Sequence, residues 1–326
     1  MPRRDQRRYR TLPSVDHYKV VPDLTVLGAA AKDVLEDPDT GIRYIAKLGG
    51  RNSDIEVVTE YAIYLVGRGL GVSVAEGRIA RYRGRLRFLS RYFLDTAKNE
   101  ELVHGVQLFH ELYDESTVHE VLGNTVREQE MFSVQSIKAA FGAHYGNDTE
   151  EKLFEGLTAM LTHDALIGVM DRHHENWGLI VQRGVADPDP RFAPLYDSAR
   201  GLFCNETDEQ LLARNAWQNG MPWLKRYIER SRPLIGFAEF QPTKSRRYLT
   251  HIELLSAVYW EYPRQRPRIM SVLKAYDRQR LAEHLMEKLD RLCSPRRRDL
   301  IMTCLRRRQK ALFRALDTTD YRAGSA

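Results

Sequence analysis

Hydrophobic and polar positions follow two different periods along this chain, and the change falls near residue 100. The first third reads as strands with one helix. "HYKVVPDLTVLG" (17–28) is rich in β-branched residues, and "GAAAKDVLEDPDTGIRYIAKLGG" (28–50) predicts a hairpin. Its turn is "DPDTG" (37–41), where Asp, Pro and Gly supply the backbone angles a reversal needs, and its return strand covers 42–48. Ser53 and Glu56 form the S-x-x-E pattern of a helix start. Val57, Val58, Tyr61, Leu65 and Val66 then recur at helical spacing. "GRGLG" (67–71) should end that helix, with a glycine in the left-handed C-cap conformation. This cluster is no nucleotide fingerprint: it follows a helix, and G-x-G-x-x-G fails at Val72. "GVSVAEGRIARY" (71–82) and "RLRFLSRYF" (85–93) predict two strands joined at "RYRGR" (81–85).

From about Asn99 the period is helical. "ELVHGVQLFHELY", "QSIKAAFGAHYG", "EEKLFEGLTAMLTHDALIGVM", "RYLTHIELLSAVYWEY" and the segment 267–316 all carry it. The aromatic run "AVYWEY" (257–262) falls within it and reads as packing. One β-island interrupts the helices, with strands over 177–182 and 192–196 split by "DPDP" (187–190). The expected class is α+β with two lobes: a basic flexible N-terminus over 1–15, a small β-rich lobe over 16–95, a helical lobe over 96–316 and a flexible tail over 317–326. Two lobes leave a cleft, a usual place for a ligand.

Composition removes several classes. The chain has 326 residues, long enough for a large core, and 43% of them are hydrophobic. Cys204, Cys293 and Cys304 lack any C-x-x-C spacing, which argues against a disulfide framework or a cysteine zinc site and for a reducing cytoplasm. "VVPDLTVLGAAA" is broken by Pro22 and Asp23, so no signal peptide is expected, and no apolar run is long enough for a transmembrane helix. The net charge of +6 is concentrated in "PRRDQRRYR" and "SPRRRDLIMTCLRRRQK". Acids are interspersed there, so solvated faces are expected rather than direct nucleic-acid or membrane binding.

Chemistry concentrates in "DRHHENWGLI" (171–180). Asp171 follows an amphipathic helix, and Asn176 opens a strand. If the two island strands pair antiparallel, Asp197 returns beside Asn176. An amide and a carboxylate near a second acid form an oxygen donor set suited to Mg²⁺. D-x-x-x-x-N with a later Asp is the layout of phosphoryl transfer, in which one Asp takes the acceptor proton while Asn and Asp hold the metal. The required phosphate cation is Lys47, in phase with Ile45 on its strand, and Glu60 on the following helix is its candidate partner. His173 and His174 lack zinc-site spacing, and adjacent side chains point differently. His173 is expected to order the loop by hydrogen bonds, while His174 and Glu175 face solvent. Arg172 either contacts the loop backbone or a phosphorylated residue, or lies on the surface.

With these motifs in this order, the sequence resembles the HipA-like protein kinases, above all compact members without the extra N-terminal subdomain of full-length HipA. The resemblance runs from about residue 24 to about residue 316 and rests on "ALIGVMDRHHENWGLIV", "FAPLYDSA", "GAAAK", "YIAKL" and "TEYAIYLVGRGLGVSVAEGRI". It implies a two-lobed kinase fold that uses ATP and Mg²⁺, with Asp171 as the catalytic Asp and Asn176 and Asp197 as metal ligands. Lys47 and Glu60 are the implied ion pair. Gly28, Ala29, Ala30, Ala31 and Lys32 would cover the phosphates, and Ser90, Arg91 and Tyr92 would belong to the adenine hinge. Thr25 stands where the family often carries a regulatory autophosphorylated Ser. Three alanines in the phosphate loop, Phe93 after the hinge and "DSA" in place of D-F-G depart from the usual patterns. The resemblance also implies a toxin of a toxin–antitoxin pair, with an aminoacyl-tRNA synthetase as protein substrate and a small antitoxin or DNA-binding partner. Two other readings share these residues: a phosphatidylinositol-type lipid kinase, and a kinase-fold regulator acting through a DNA-binding partner.

Overall fold

Short runs of β-branched and aromatic residues between glycine and aspartate turns build the N-terminal part as a sheet. The structure, a computed structural model, describes residues 11–22, 32–49, 53–110, 112–122, 124–185, 189–198, 200–214, 221–238, 249–276 and 279–317. Strands β1 (Lys19–Val20), β2 (Lys32–Glu36), β3 (Arg43–Lys47), β4 (Gly77–Tyr82) and β5 (Arg85–Arg91) form one antiparallel sheet in the order β1-β2-β3-β5-β4. The expected turn closes the β2–β3 hairpin: Gly41 has φ +69°, and its N–H donates to the Asp37 carbonyl at 2.8 Å. β4 and β5 are joined by Arg83 and Gly84, both at positive φ (51° and 72°), the two-residue turn that matches strand twist. Of the first apolar segment, only Lys19–Val20 is a strand among the described residues. Of the arm expected to be flexible over 1–15, residues 11–15 are described. Val15 is 2% exposed, and its N–H donates to the Arg81 carbonyl.

Helix α1 (Ser53–Gly69) lies against this sheet and buries Val57, Val58, Ala62, Ile63, Leu65 and Val66. It ends as the glycines dictate. Gly71 takes φ +68°, its N–H bonds Arg68 O, and the Val72 N–H bonds Gly67 O, a left-handed cap closing two free carbonyls. Val15, Tyr18, Leu35, Ala46, Ala80, Tyr82 and Leu89 form a small apolar cluster apart from the main core.

The second part holds β6 (Glu100–His104), α2 (Gly105–His110), α3 (Glu115–Val121), α4 (Thr125–Met131), α5 (Val134–Tyr145), α6 (Asn147–Ile167), β7 (Gly178–Gln182) and β8 (Arg191–Phe192). It continues with α7 (Asp208–Ala213), α8 (Pro222–Glu229), α9 (His251–Glu261), α10 (Arg266–Ala275), α11 (Gln279–Leu289) and α12 (Pro295–Asp317). Two expectations change here. "ELVH" is not helix but β6, paired antiparallel with β7 in register Val103↔Leu179. Its partner lies far along the chain, so local periodicity could not reveal it. The second island strand stops at Phe192, and Leu195 crosses instead to bridge Val74 of the N-terminal part. Helix α6 runs through the centre, buried along most of its length from Leu153 to Ile167, with α5, α9, α10 and α12 around it. No helix among the described residues is long and apolar enough to cross a membrane. All three cysteines are buried, and none is in a disulfide.

Candidate active site

Helix α6 aims the site. Gly168, at φ 77° and ψ 45°, ends the helix, and its N–H donates to the Asp164 carbonyl at 2.7 Å. Two side chains from the C-terminal helices secure the exit: Arg308 Nη1 donates to the Ala165 carbonyl at 3.1 Å, and His251 Nε2 lies 2.6 Å from the Val169 carbonyl. Burial pushes His251 down to about 4, with the nearby Arg308 charge adding to it. The imidazole is therefore neutral at physiological pH, and Nε2 carries the proton it donates. The chain then turns through residues 171–176 into β7.

Arg172 is the centre of that turn. It is 2% exposed, and all five of its N–H groups are engaged. Nε and Nη2 clasp Asp164 Oδ2 and Oδ1 at 2.8 and 3.0 Å. Nη1 donates to the carbonyls of Asn176 and Tyr196 at 2.9 and 2.8 Å, and Nη2 also donates to Ser198 Oγ at 2.8 Å. One guanidinium thus ties the end of α6, the loop before β7 and the segment after β8. Burial opposes charge on Asp164, but the Arg172 guanidinium outweighs it and holds the carboxyl far below its usual range. The Asn176 side chain donates through Nδ2 to the Asp171 carbonyl at 2.6 Å, which leaves its Oδ1 as an acceptor. A second clasp lies behind it. The Tyr196 hydroxyl donates to the Glu175 carbonyl at 2.9 Å and sits 3.0 Å from His104 Nδ1.

The N-terminal sheet reaches the same place. Lys47, at the end of β3, donates to Glu60 Oε1 of α1 at 2.5 Å and to Asp197 Oδ1 at 3.1 Å. Lys32 is its cross-strand neighbour on β2. Burial works against the Lys47 charge, but the carboxylates of Glu60 and Asp197 outweigh it and keep the ammonium above its usual value. Lys47 in turn draws Asp197 below the usual carboxylate range, while burial lifts Glu60. Asp171 is lifted as well, by burial first, against the pull of His173 and Arg200. Glu60, Phe88, Ser90, Leu195, Tyr196 and Asp197 line a cleft between the sheet and the helices.

The family model of the HipA-like C-terminal domain matches residues 24–252. This chain belongs to that family. Its fold matches the Helicobacter pylori proinflammatory kinase CtkA with a TM-score of 0.71 at 17% identity, over 94% of this chain and 98% of that one. HipA of Shewanella oneidensis MR-1, in a structure with HipB and operator DNA, aligns with a TM-score of 0.49 at 11% identity, over 94% of this chain and 70% of that one. No curated protein sequence matches. The HipA-like chain accordingly has a two-lobed, compact kinase fold, with an antiparallel N-terminal sheet and a mainly helical remainder.

Lys47 bonds both Glu60 and Asp197, and Arg172 ties the Asn176 carbonyl to that of Tyr196, the residue before Asp197. Thr25 and Gly28, Ala29, Ala30 and Ala31 lie outside the described residues. Ser90 is buried in the cleft. The backbone N–H groups of Arg91 and Tyr92 bond the Glu76 and Arg43 carbonyls at 2.6 and 2.9 Å, so neither is free to donate to a base. His173 orders its loop as expected: Nδ1 accepts from the Glu175 N–H at 3.2 Å, and its carbonyl accepts from the Asn176 N–H at 2.9 Å. Glu175 is exposed, but His174 is not solvent-facing. It is half-buried and stacks on Phe132 with ring centroids 5.0 Å apart. The adjacent histidines also do not diverge, since one ligand atom each of His173, His174 and Glu175 lies within 4.8 Å of the others.

Sequence reasoning missed Asp164, His104 and Tyr196 and left Arg172 undecided. One signal was available: Asp164 is the one acid in "AMLTHDALIGVM", a mostly apolar stretch at the end of a helix, and a buried carboxylate requires a buried cation. Asn176 Oδ1 and the Asp197 carboxylate are hard oxygen donors of the kind a divalent cation takes, and the ammonium groups of Lys47 and its cross-strand neighbour Lys32 are of the kind phosphate oxygens take.

Proposed function

We propose that this chain is an ATP- and Mg²⁺-dependent protein serine/threonine kinase that transfers the γ-phosphoryl group of ATP to a protein hydroxyl. The observation that carries this reading is the position of Lys47, buried between Glu60 of α1 and Asp197 of the segment after β8. That contact joins the two lobes, which we divide near residues 93–100, across the line where phosphates would lie. Lys47, fixed by Glu60, and Lys32 bind phosphate oxygens. Asn176 and Asp197 would hold Mg²⁺, which supplies charge neutralisation on the phosphates when bound. Asp171 orients the acceptor hydroxyl and takes its proton. The hydroxyl oxygen bonds phosphorus as the bond to the bridging oxygen breaks, and that electron pair leaves on ADP. Burial lifts the Asp171 carboxyl, which makes it a better proton acceptor than a solvated one.

Family membership supports the further proposal of a cytoplasmic toxin whose protein substrate is an aminoacyl-tRNA synthetase and whose partner is a small antitoxin or DNA-binding protein. Purified Asp171→Ala and Asp197→Ala should fold and yet lose labelling from γ-labelled ATP. Undiminished transfer by either variant would refute the assignment. Expression should arrest growth, with Asp171→Ala relieving the arrest. Labelling confined to lipid vesicles would indicate a lipid kinase, and failure of Mg·ATP to raise thermal stability would indicate a non-catalytic regulator.

A further inference from the structure

Phosphoryl transfer is accelerated by positive charge placed against the moving group, because charge spreads over its equatorial oxygens. On the nucleotide side of the cleft, Lys47 and Lys32 supply it. Among the described residues, the cationic groups beside Asp171 include His173, Arg172 and Arg200, whose Nε lies 3.8 Å from Asp171 Oδ2. Arg172 is excluded, since all five of its N–H groups are engaged and it is buried. His173 has Nδ1 occupied by the Glu175 N–H, and an imidazole carries its charge only when protonated. An arginine stays charged at every relevant pH. Of these groups, Arg200 meets the requirement permanently.

Its placement fits the task. The backbone is fixed: the Arg200 carbonyl accepts from the N–H of Met170, the residue before Asp171, at 2.9 Å, and at Gly201 a Cβ would press on Ile167. The side chain is not fixed in the same way. It is 51% exposed, its Nη1 donates to Asn205 Oδ1 at 3.2 Å, and its Nε lies 3.8 Å from Asp171 Oδ2. At that distance the contact is an ion pair without a hydrogen bond, so the guanidinium can leave it at little cost.

We infer that Arg200 is a further catalytic residue: it pairs with Asp171 before transfer and moves onto the γ-phosphoryl oxygens during transfer. This rests on the kinase reading above. At 3.8 Å and half-exposed, the guanidinium can turn from Asp171 to the phosphoryl oxygens over which charge spreads. Arg200 makes and breaks no covalent bond.

The test is single-turnover transfer from γ-labelled Mg·ATP to water and to the chain itself, with full-length wild type, Arg200→Ala and Arg200→Lys. Removing one charge-stabilising donor should lower the transfer rate by about 10²–10³-fold in Arg200→Ala. ATP affinity, read from thermal stabilisation, should change less than about threefold. Arg200→Lys should recover part of the rate, and added methylguanidinium should raise the rate of Arg200→Ala but not that of wild type. A merely structural arginine would show none of that rescue. If wild type transfers phosphate and Arg200→Ala keeps at least a third of its rate, or loses ATP affinity in proportion to its rate, the inference fails while the kinase reading stands. If wild type transfers nothing, both fail.

Discussion

Replacing Arg172 by lysine should be among the most damaging charge-conserving substitutions in this protein. The guanidinium makes five hydrogen bonds, two to Asp164 and three to Asn176 O, Tyr196 O and Ser198 Oγ, at distances of 2.8–3.0 Å. Lysine has three donors on one nitrogen and cannot span the fork. At least two acceptors are left without a donor at a site that is 2% exposed. Each buried unsatisfied acceptor costs about 1–3 kcal/mol, so Arg172→Lys should lose about 2–6 kcal/mol. Urea unfolding followed by tryptophan fluorescence measures this as a lower midpoint at unchanged slope. A double variant, Asp164→Leu with Arg172→Met, separates the pair from the clasp. Removing both charges should regain stability relative to Arg172→Ala, because no buried carboxylate is stranded. It still leaves the carbonyls of Asn176 and Tyr196 untied, so Mg·ATP should fail to stabilise it. A loss below about 1 kcal/mol in Arg172→Lys would refute the view that this one side chain holds the three segments together.

Two further outcomes follow from the turn that precedes the site. His251 has a folded pKa of about 4, below its unfolded value, so the unfolded state binds the extra proton between roughly pH 6.5 and 4. Its contribution to stability is present above pH 6.5 and lost as pH falls towards 4, and His251→Gln should flatten the unfolding midpoint across that window. Asp164, also held low, acts in the same sense at more acid pH, below the ordinary carboxylate range. Gly168→Ala places a Cβ on a residue at φ +77° and against the Arg308 guanidinium. It should cost about 1–2 kcal/mol in backbone strain alone, and a melting temperature equal to wild type would refute that.

Local chemistry explains why much of the architecture could be read early. "DPDTG", "RYRGR" and "GRGLG" specify turns and a cap through residues that tolerate positive φ, and all three are found there. Helix α6 and the C-terminal helices declare themselves by period. The readings that failed share one cause. "ELVH" has an apolar pattern compatible with either element, and the edge of β7 decides for strand. His174 sits in a polar run, and only the approach of Phe132 removes it from solvent.

The sequence by itself determined most of the element order and the residue types of the candidate site: Lys47, Asp171, Asn176 and Asp197 are polar groups at or between the ends of elements, where short-range turn and cap chemistry acts, and Glu60 lies on a helix declared by its period. Only the tertiary structure decided how they are held. Asp164, Arg172, Tyr196, Arg200 and His251 act through partners on other elements, and a buried charge shows its purpose only once the group that neutralises it is in place.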